Sequence, residues 1–171
     1  MSTAGTTTSA LELRDLRHLD VLFATAFGIG YLRPAPGTWG SMAAALFWWF
    51  VLSHLGLVVQ LLICVGFFVV GWWCSSRICR RHGVKDAPQI VADEVVGMWL
   101  ALVVLPALWW LVLIAFGLFR VLDIAKPGPV GWLDREVGGG LGVMADDVLA
   151  GSITAIVLYV SIWLLLDPGI A

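Results

Sequence analysis

The chain is a series of long apolar runs separated by short polar interruptions. The runs are too long and too continuous for half-buried strands and predict helices. Ala10 to Phe27 sets Leu11, Leu13, Leu16, Leu19 and Phe23 among Glu12, Arg14, Asp15, Arg17 and Asp20. That mixture predicts a helix lying on a membrane face rather than crossing it, with His18 solvated. Gly28 to Gly40 is a Gly/Pro loop, closed by Ser41, which suits the N-cap of the next segment. Met42 to about Leu55 and Leu57 to about Ser76 are apolar, divided by His54-Leu55-Gly56. Arg77 to Pro88 reads as a basic loop. Asp93-Glu94 open the run Val95 to Leu105, Pro106 interrupts it, and Ala107 to Leu122 follows. Ala125 to Ala145 is a second Gly/Pro-rich loop, and Asp146-Asp147 open a last run from Val148 to Leu166. The Thr/Ser-rich residues 1–9 are expected to be disordered, leaving residues 10–171 as a single membrane-embedded domain.

Composition turns this pattern into a fold class. Apolar residues make up 60% of the 171 and charged residues 13%, with a mean hydropathy of +0.95. So much apolar surface indicates an all-α, integral membrane helical bundle. The paired tryptophans Trp48/Trp49, Trp72/Trp73 and Trp109/Trp110 suit interfacial or lipid-facing positions. No secretory leader is expected at the N-terminus. A net charge of −2 does not suggest nucleic-acid binding. Cys64, Cys74 and Cys79 form no C-x-x-C pair and read as reduced packing residues.

Asp93 to Leu122 is 30 residues, about 45 Å as one helix against a bilayer core of about 30 Å. It is either one kinked helix or a hairpin bent near Pro106, and Met42 to Ser76 poses the same choice at His54-Gly56. Short hairpins gather every cation on one side: Arg14, Arg17, Arg33, Arg77, Arg80, Arg81, Lys85, Arg120, Lys126 and Arg135. The opposite side receives His54, the Pro106 bend and the tail with Asp167. By the positive-inside rule the charged side is cytoplasmic, so hairpins are the expected topology.

Arg120, Asp123 and Lys126 recur every three residues before Pro127 stops the helix, so they share one face at the end of an apolar segment. Two cations suit a phosphate, and the carboxylate between them suits a metal ion or a proton transfer. With hairpins, Asp93, Glu94, Asp146, Asp147 and the Gly28–Ser41 loop reach the same face. Five carboxylates at membrane-helix ends are costly unless paired or metal-bound. Carboxylates from three segments suit Mg2+, and the lack of His and Cys ligands argues against zinc. Singly, Asp93 and Asp146 read equally well as N-caps, and Arg120 and Lys126 as membrane-boundary cations. Neither reading explains the doubling of the acids or the gathering of all these groups on one side.

Taken in order, the motifs resemble the phosphatidylglycerophosphatase A family. The resemblance rests on Gly28-x-Gly30, Ala35-Pro36-Gly37-Thr38-x-Gly40-Ser41, Asp93-Glu94-x-x-Gly97 and Phe119-Arg120-x-x-Asp123-x-x-Lys126-Pro127-x-Pro129. It ends on Gly138-Gly139-x-Leu141-Gly142-Val143-Met144-x-Asp146-Asp147-x-x-Ala150-Gly151, so it spans residues 28–151. Gly128 stands where a bulkier residue is expected. The resemblance implies a Mg2+-dependent phosphatase of the bacterial inner membrane, its site facing the cytoplasm. It would convert phosphatidylglycerophosphate to phosphatidylglycerol and inorganic phosphate. Asp93, Glu94, Asp123, Asp146 and Asp147 are the expected catalytic and metal-binding residues. Arg120 and Lys126 are the expected phosphate ligands, with Gly37, Thr38, Ser41 and loop amides completing the cradle. Direct hydrolysis is the favoured route, with an aspartyl-phosphate intermediate as its rival. Two alternatives are a phosphatase of another lipid phosphate and a small ion-coupled transporter. The transporter is disfavoured because the charges collect at helix ends rather than at mid-membrane depth.

Overall fold

Proline, glycine and the ends of the apolar runs set the helix boundaries in the computed structural model, which describes residues 11–84 and 87–166. The N-terminal residues 1–9, Lys85 of the basic loop and the tail with Asp167 lie outside the described residues. Among the described residues there are seven α-helices and no strand: α1 (Leu19–Ala24), α2 (Pro36–Phe50), α3 (Leu57–His82), α4 (Ala92–Leu102), α5 (Trp109–Ala125), α6 (Pro129–Glu136) and α7 (Gly139–Leu166). Pro36 and Pro129 sit at the first positions of α2 and α6, where a missing N–H costs nothing. Gly83, at φ 65°, caps α3 with its N–H donated to the Cys79 carbonyl.

Several helices are longer than the apolar runs foretell. Residues Arg77–His82, expected as loop, continue α3. The first part of α2 is built from the Gly/Pro segment. Ser41 is therefore inside the helix and not its N-cap; its hydroxyl donates to the Gly37 carbonyl at 2.8 Å. The second Gly/Pro segment holds α6 and the first two turns of α7. Asp146 and Asp147 are thus interior to α7 and open no helix. Asp93 is not an N-cap either, since Val91 occupies that position. In each case packing against neighbours holds polar, Gly-containing sequence helical despite its weak intrinsic propensity. The expected N-terminal helix is instead a 3-10 turn at Leu13–Arg17 followed by α1, broken at His18 in an extended conformation. Its Asp20 is buried and accepts from Arg81 of α3 at 2.8 Å.

Both hairpins are present. Trp48 of α2 donates to Gln60 of α3 at 2.9 Å, and Gln60 in turn donates to the Leu55 carbonyl in the bend. After the bend at 103–108, α5 packs back against α4. Not all the arms are short: α3 has 26 residues and α7 has 28, about 39 and 42 Å. These two helices are long and apolar enough, by length and composition, to cross a membrane. At the centre lies α4, packed by α2, α3, α5 and α7; all its residues except Glu94 and Leu100 are buried. The outward faces of the bundle carry exposed apolar side chains such as Val58, Leu62, Trp109, Leu113, Ile156 and Leu165. All three cysteines are buried, in keeping with their reading as packing residues.

Candidate functional site

Two glycines set the geometry of the polar end. A Cβ at Gly97 of α4 would strike the Phe119 ring and the Asp147 carbonyl, at 2.6 and 2.7 Å. A Cβ at Gly151 of α7 would collide with the Gly97 carbonyl. The backbones of α4 and α7 therefore touch where they cross, which any larger residue would prevent. Asp93 precedes Gly97 by four residues, and Asp147 precedes Gly151 by four. Each carboxylate thus stands one turn from the crossing, on the crossing face of its helix. Ligand oxygens of Asp93, Glu94 and Asp147 all lie within 4.8 Å of one another.

The cations come from the end of α5. Arg120 Nη1 donates to Asp123 Oδ2 at 2.6 Å and to Ser41 Oγ at 3.4 Å, and lies 3.9 Å from Glu94 Oε1. A Cβ at Gly37 would overlap the Glu94 carboxylate and come within 3.1 Å of Arg120 Nη1. The first turn of α2 therefore lies directly against this ion pair. The helix α5 closes at Lys126, in the left-handed conformation at φ 43°. Lys126 Nζ donates to Asp146 Oδ2 at 2.7 Å, tying α5 to α7. All five carboxylates and Lys126 line one cavity of about 130 Å³, with Pro88, Ile90, Gly139, Gly142 and Val143 completing its wall.

The expected carboxylates are thus gathered, but they differ in what their oxygens meet. Asp123 and Asp146 are held by Arg120 and Lys126. Glu94 Oε2 and both oxygens of Asp147 are buried without a hydrogen-bond partner. Buried anionic oxygens in that state are expensive unless a cation joins them. Asp93, whose Oδ1 accepts from the Glu94 N–H at 3.0 Å, completes with Glu94 and Asp147 a group of three carboxylates; offering only hard oxygen donors, it can hold a metal ion. Thr38 is half-buried in the first turn of α2, where backbone amides have no acceptor within the helix. The amides from Gly28 to Leu32 donate within their own turn and so are not available to a ligand. Gly30 instead lets that turn press against the Gln89 carbonyl. Sequence reasoning passed over Gly97 and Gly151 as structural determinants of the site. The signal available was the repeated spacing of four from acid to glycine.

The family model "Phosphatidylglycerophosphatase A" matches residues 22–162. A phosphatidylglycerophosphatase A of Haemophilus influenzae is 40% identical over 146 residues, covering 84% of this chain and 90% of that protein. The phosphatidylglycerophosphatase A of Escherichia coli is 42% identical over 144 residues, covering 81% and 80%. A Bacteroides thetaiotaomicron protein, provisionally named a phosphatidylinositol-3-phosphatase, is 37% identical over 154 residues, covering 86% and 96%. No solved structure matches the chain.

Proposed function

This chain belongs to the phosphatidylglycerophosphatase A family, and from that premise we propose that it is a Mg2+-dependent lipid phosphatase. Its substrate is phosphatidylglycerophosphate and its products are phosphatidylglycerol and inorganic phosphate. The observation that carries this reading is the three-carboxylate cluster of Asp93, Glu94 and Asp147 in one cavity wall with the Lys126–Asp146 pair, flanked by the Arg120–Asp123 pair. Asp93, Glu94 and Asp147 would hold the Mg2+, with Asp123 and Asp146 beside them. When bound, Mg2+ supplies Lewis-acid polarisation and neutralises charge at the phosphoryl group.

The side chains of this chain do the rest. Arg120 and Lys126 exchange their carboxylate partners for oxygens of the terminal phosphate, lowering the cost of charge in the transition state. Gly37, Thr38 and Ser41 border that position from the start of α2. Asp123, outside the three-carboxylate cluster, is our candidate for the base that takes a proton from the attacking water. The water oxygen bonds to phosphorus, the bond from phosphorus to the glycerol oxygen breaks, and that oxygen takes up the proton Asp123 had accepted and leaves as the hydroxyl of phosphatidylglycerol. Labelled phosphate trapped on the protein during turnover would replace this route with an aspartyl-phosphate one.

The setting we propose is the bacterial inner membrane. The length and apolarity of α3 and α7, the apolar outer faces and the collection of cations at one end support it, with that end in the cytoplasm. Phosphate release from phosphatidylglycerophosphate by the purified protein, with Mg2+ and with EDTA, tests the reading. Release that requires Mg2+ and is lost in Asp147→Asn supports it, whereas metal-independent release overturns the metal assignment. The Bacteroides relative's name favours a second reading, a phosphatase of another lipid phosphate. Faster release from phosphatidylinositol-3-phosphate in the same assay would select it.

A further inference from the structure

From the far side of Arg120, an apolar groove runs between α2 and α5. Met42, Ala45, Leu46, Trp49, Val112 and Phe116 are among its walls, and its volume is about 330 Å³. Its upper end adjoins the polar site through both helices: Phe116 is one turn before Arg120 on α5, and Met42 follows Ser41 on α2. From Met42 to Phe50 the groove follows about 12 Å of helix. Ala45 forms a buried floor, and Leu113 stands 60% exposed at the rim. A second apolar cleft, on the other side of α2, reaches Phe67 and Trp99 and has no α5 residue in its walls.

We propose that the α2–α5 groove binds one acyl chain of the lipid substrate, making it a specificity subsite for the hydrocarbon part of the molecule. This rests on the phosphatase reading, because that reading supplies a ligand with phosphate and hydrocarbon joined in one molecule. The sole cation bordering the groove head among the described residues of α2 and α5 is Arg120. Its guanidinium bonds both Ser41 at the groove head and Asp123 in the catalytic cavity. A lipid seated with its terminal phosphate in the cavity then leads its glycerol end past Arg120 and its chain down the groove. Wholly apolar walls open to the lipid side fit a methylene chain and offer nothing to a polar ligand. Because burying methylenes contributes similarly in ground and transition states, the groove should govern KM rather than kcat.

The groove is filled by Ala45→Leu at its floor and, separately, by Leu113→Trp at its exposed rim, in the full-length protein in detergent. Both variants should raise KM for dipalmitoyl phosphatidylglycerophosphate about tenfold, equivalent to about 1.4 kcal/mol, with kcat retained. Turnover of the deacylated headgroup should stay as in the unsubstituted protein. Equal losses on both substrates, or none on the diacyl substrate, would overturn the proposal. A second measurement does not depend on variants. Phosphatidylglycerophosphate carrying a diazirine in one acyl chain should label the α2 and α5 segments, and unlabelled substrate should compete while phosphatidylcholine should not. Equal competition by phosphatidylcholine would show bulk lipid only, and cross-linked dimers without lipid labelling would show a second copy in the groove; either result refutes the acyl-chain assignment. If the unsubstituted protein releases no phosphate from any form of this substrate, the phosphatase reading fails first, and specific labelling still decides the groove.

Discussion

Asp147 illustrates the conflict that the proposed metal site imposes on a fold. Its two oxygens are buried without a partner and sit among Asp93 and Glu94, an arrangement that repels itself until a cation arrives. Asp147→Asn is therefore expected to act in opposite directions on activity and stability. Turnover should fall at least about 100-fold, while the thermal midpoint in EDTA should rise by about 2–4 °C for each kcal/mol of repulsion relieved. Thermal melts of both proteins with and without Mg2+ check this. The unsubstituted protein should gain about 2.7 kcal/mol at Mg2+ a hundredfold above its dissociation constant, and Asp147→Asn should gain little. Arg120 presents a different test. It bonds Asp123 and Ser41 while lying near Glu94, a forked engagement that one ammonium cannot reproduce. Arg120→Lys is expected to lower kcat/KM by about 10- to 100-fold while leaving the melting midpoint nearly unchanged.

At the scale of elements, the site exists because α4 and α7 meet backbone to backbone. The sulfur-free, ring-free surfaces of Gly97 and Gly151 permit that approach, and the acids stand one turn away on each helix. Gly97→Ala should force the helices apart, lowering stability by about 1–3 kcal/mol and weakening stabilisation by Mg2+ along with it. Gly117, exposed in the middle of α5 with open space around its α-carbon, is the control. Gly117→Ala should stabilise by up to about 1 kcal/mol, with Mg2+ stabilisation unaltered. Denaturant or thermal unfolding of the two variants separates a packing requirement from a general intolerance of glycine substitution. The α4–α5 bend matters equally, since without it Glu94 and Arg120 would stand at opposite ends of the bundle.

At the scale of the molecule, polar groups collect at one end and the α2–α3 bend marks the other. Arg80, at the exposed end of α3, and His54, in the bend, are separated by nearly the full length of that helix. The native cysteines are buried and should react slowly. With the cytoplasmic orientation proposed above, Arg80→Cys should react with an impermeant maleimide only in inside-out vesicles, and His54→Cys only in right-side-out ones. Reaction of both from the same side would overturn the hairpin orientation across the membrane.

Much of this was legible before any coordinates. Runs such as Val148 to Leu166 and Ala107 to Leu122 are apolar enough to demand burial or lipid. Pro106 and His54-Gly56 mark the bends, and Arg120-x-x-Asp123-x-x-Lys126 declares a charged helix face. Hydrophobic periodicity and charge are local properties, so they can be read along a chain. The starts of α2 and α7 were not legible in this way: Gly/Pro-rich sequence there has weak helical propensity and becomes helical through contacts such as Gly140 against Ser76 and Gly40 against Val91. Nor did five acidic residues reveal which three would share a cluster and which would bond directly to Arg120 and Lys126. Sequence alone determined the helical class, the bends and the identity of the charged groups. Tertiary structure alone decided their partners, because a carboxylate's partner depends on which neighbouring helix the glycines allow to come close.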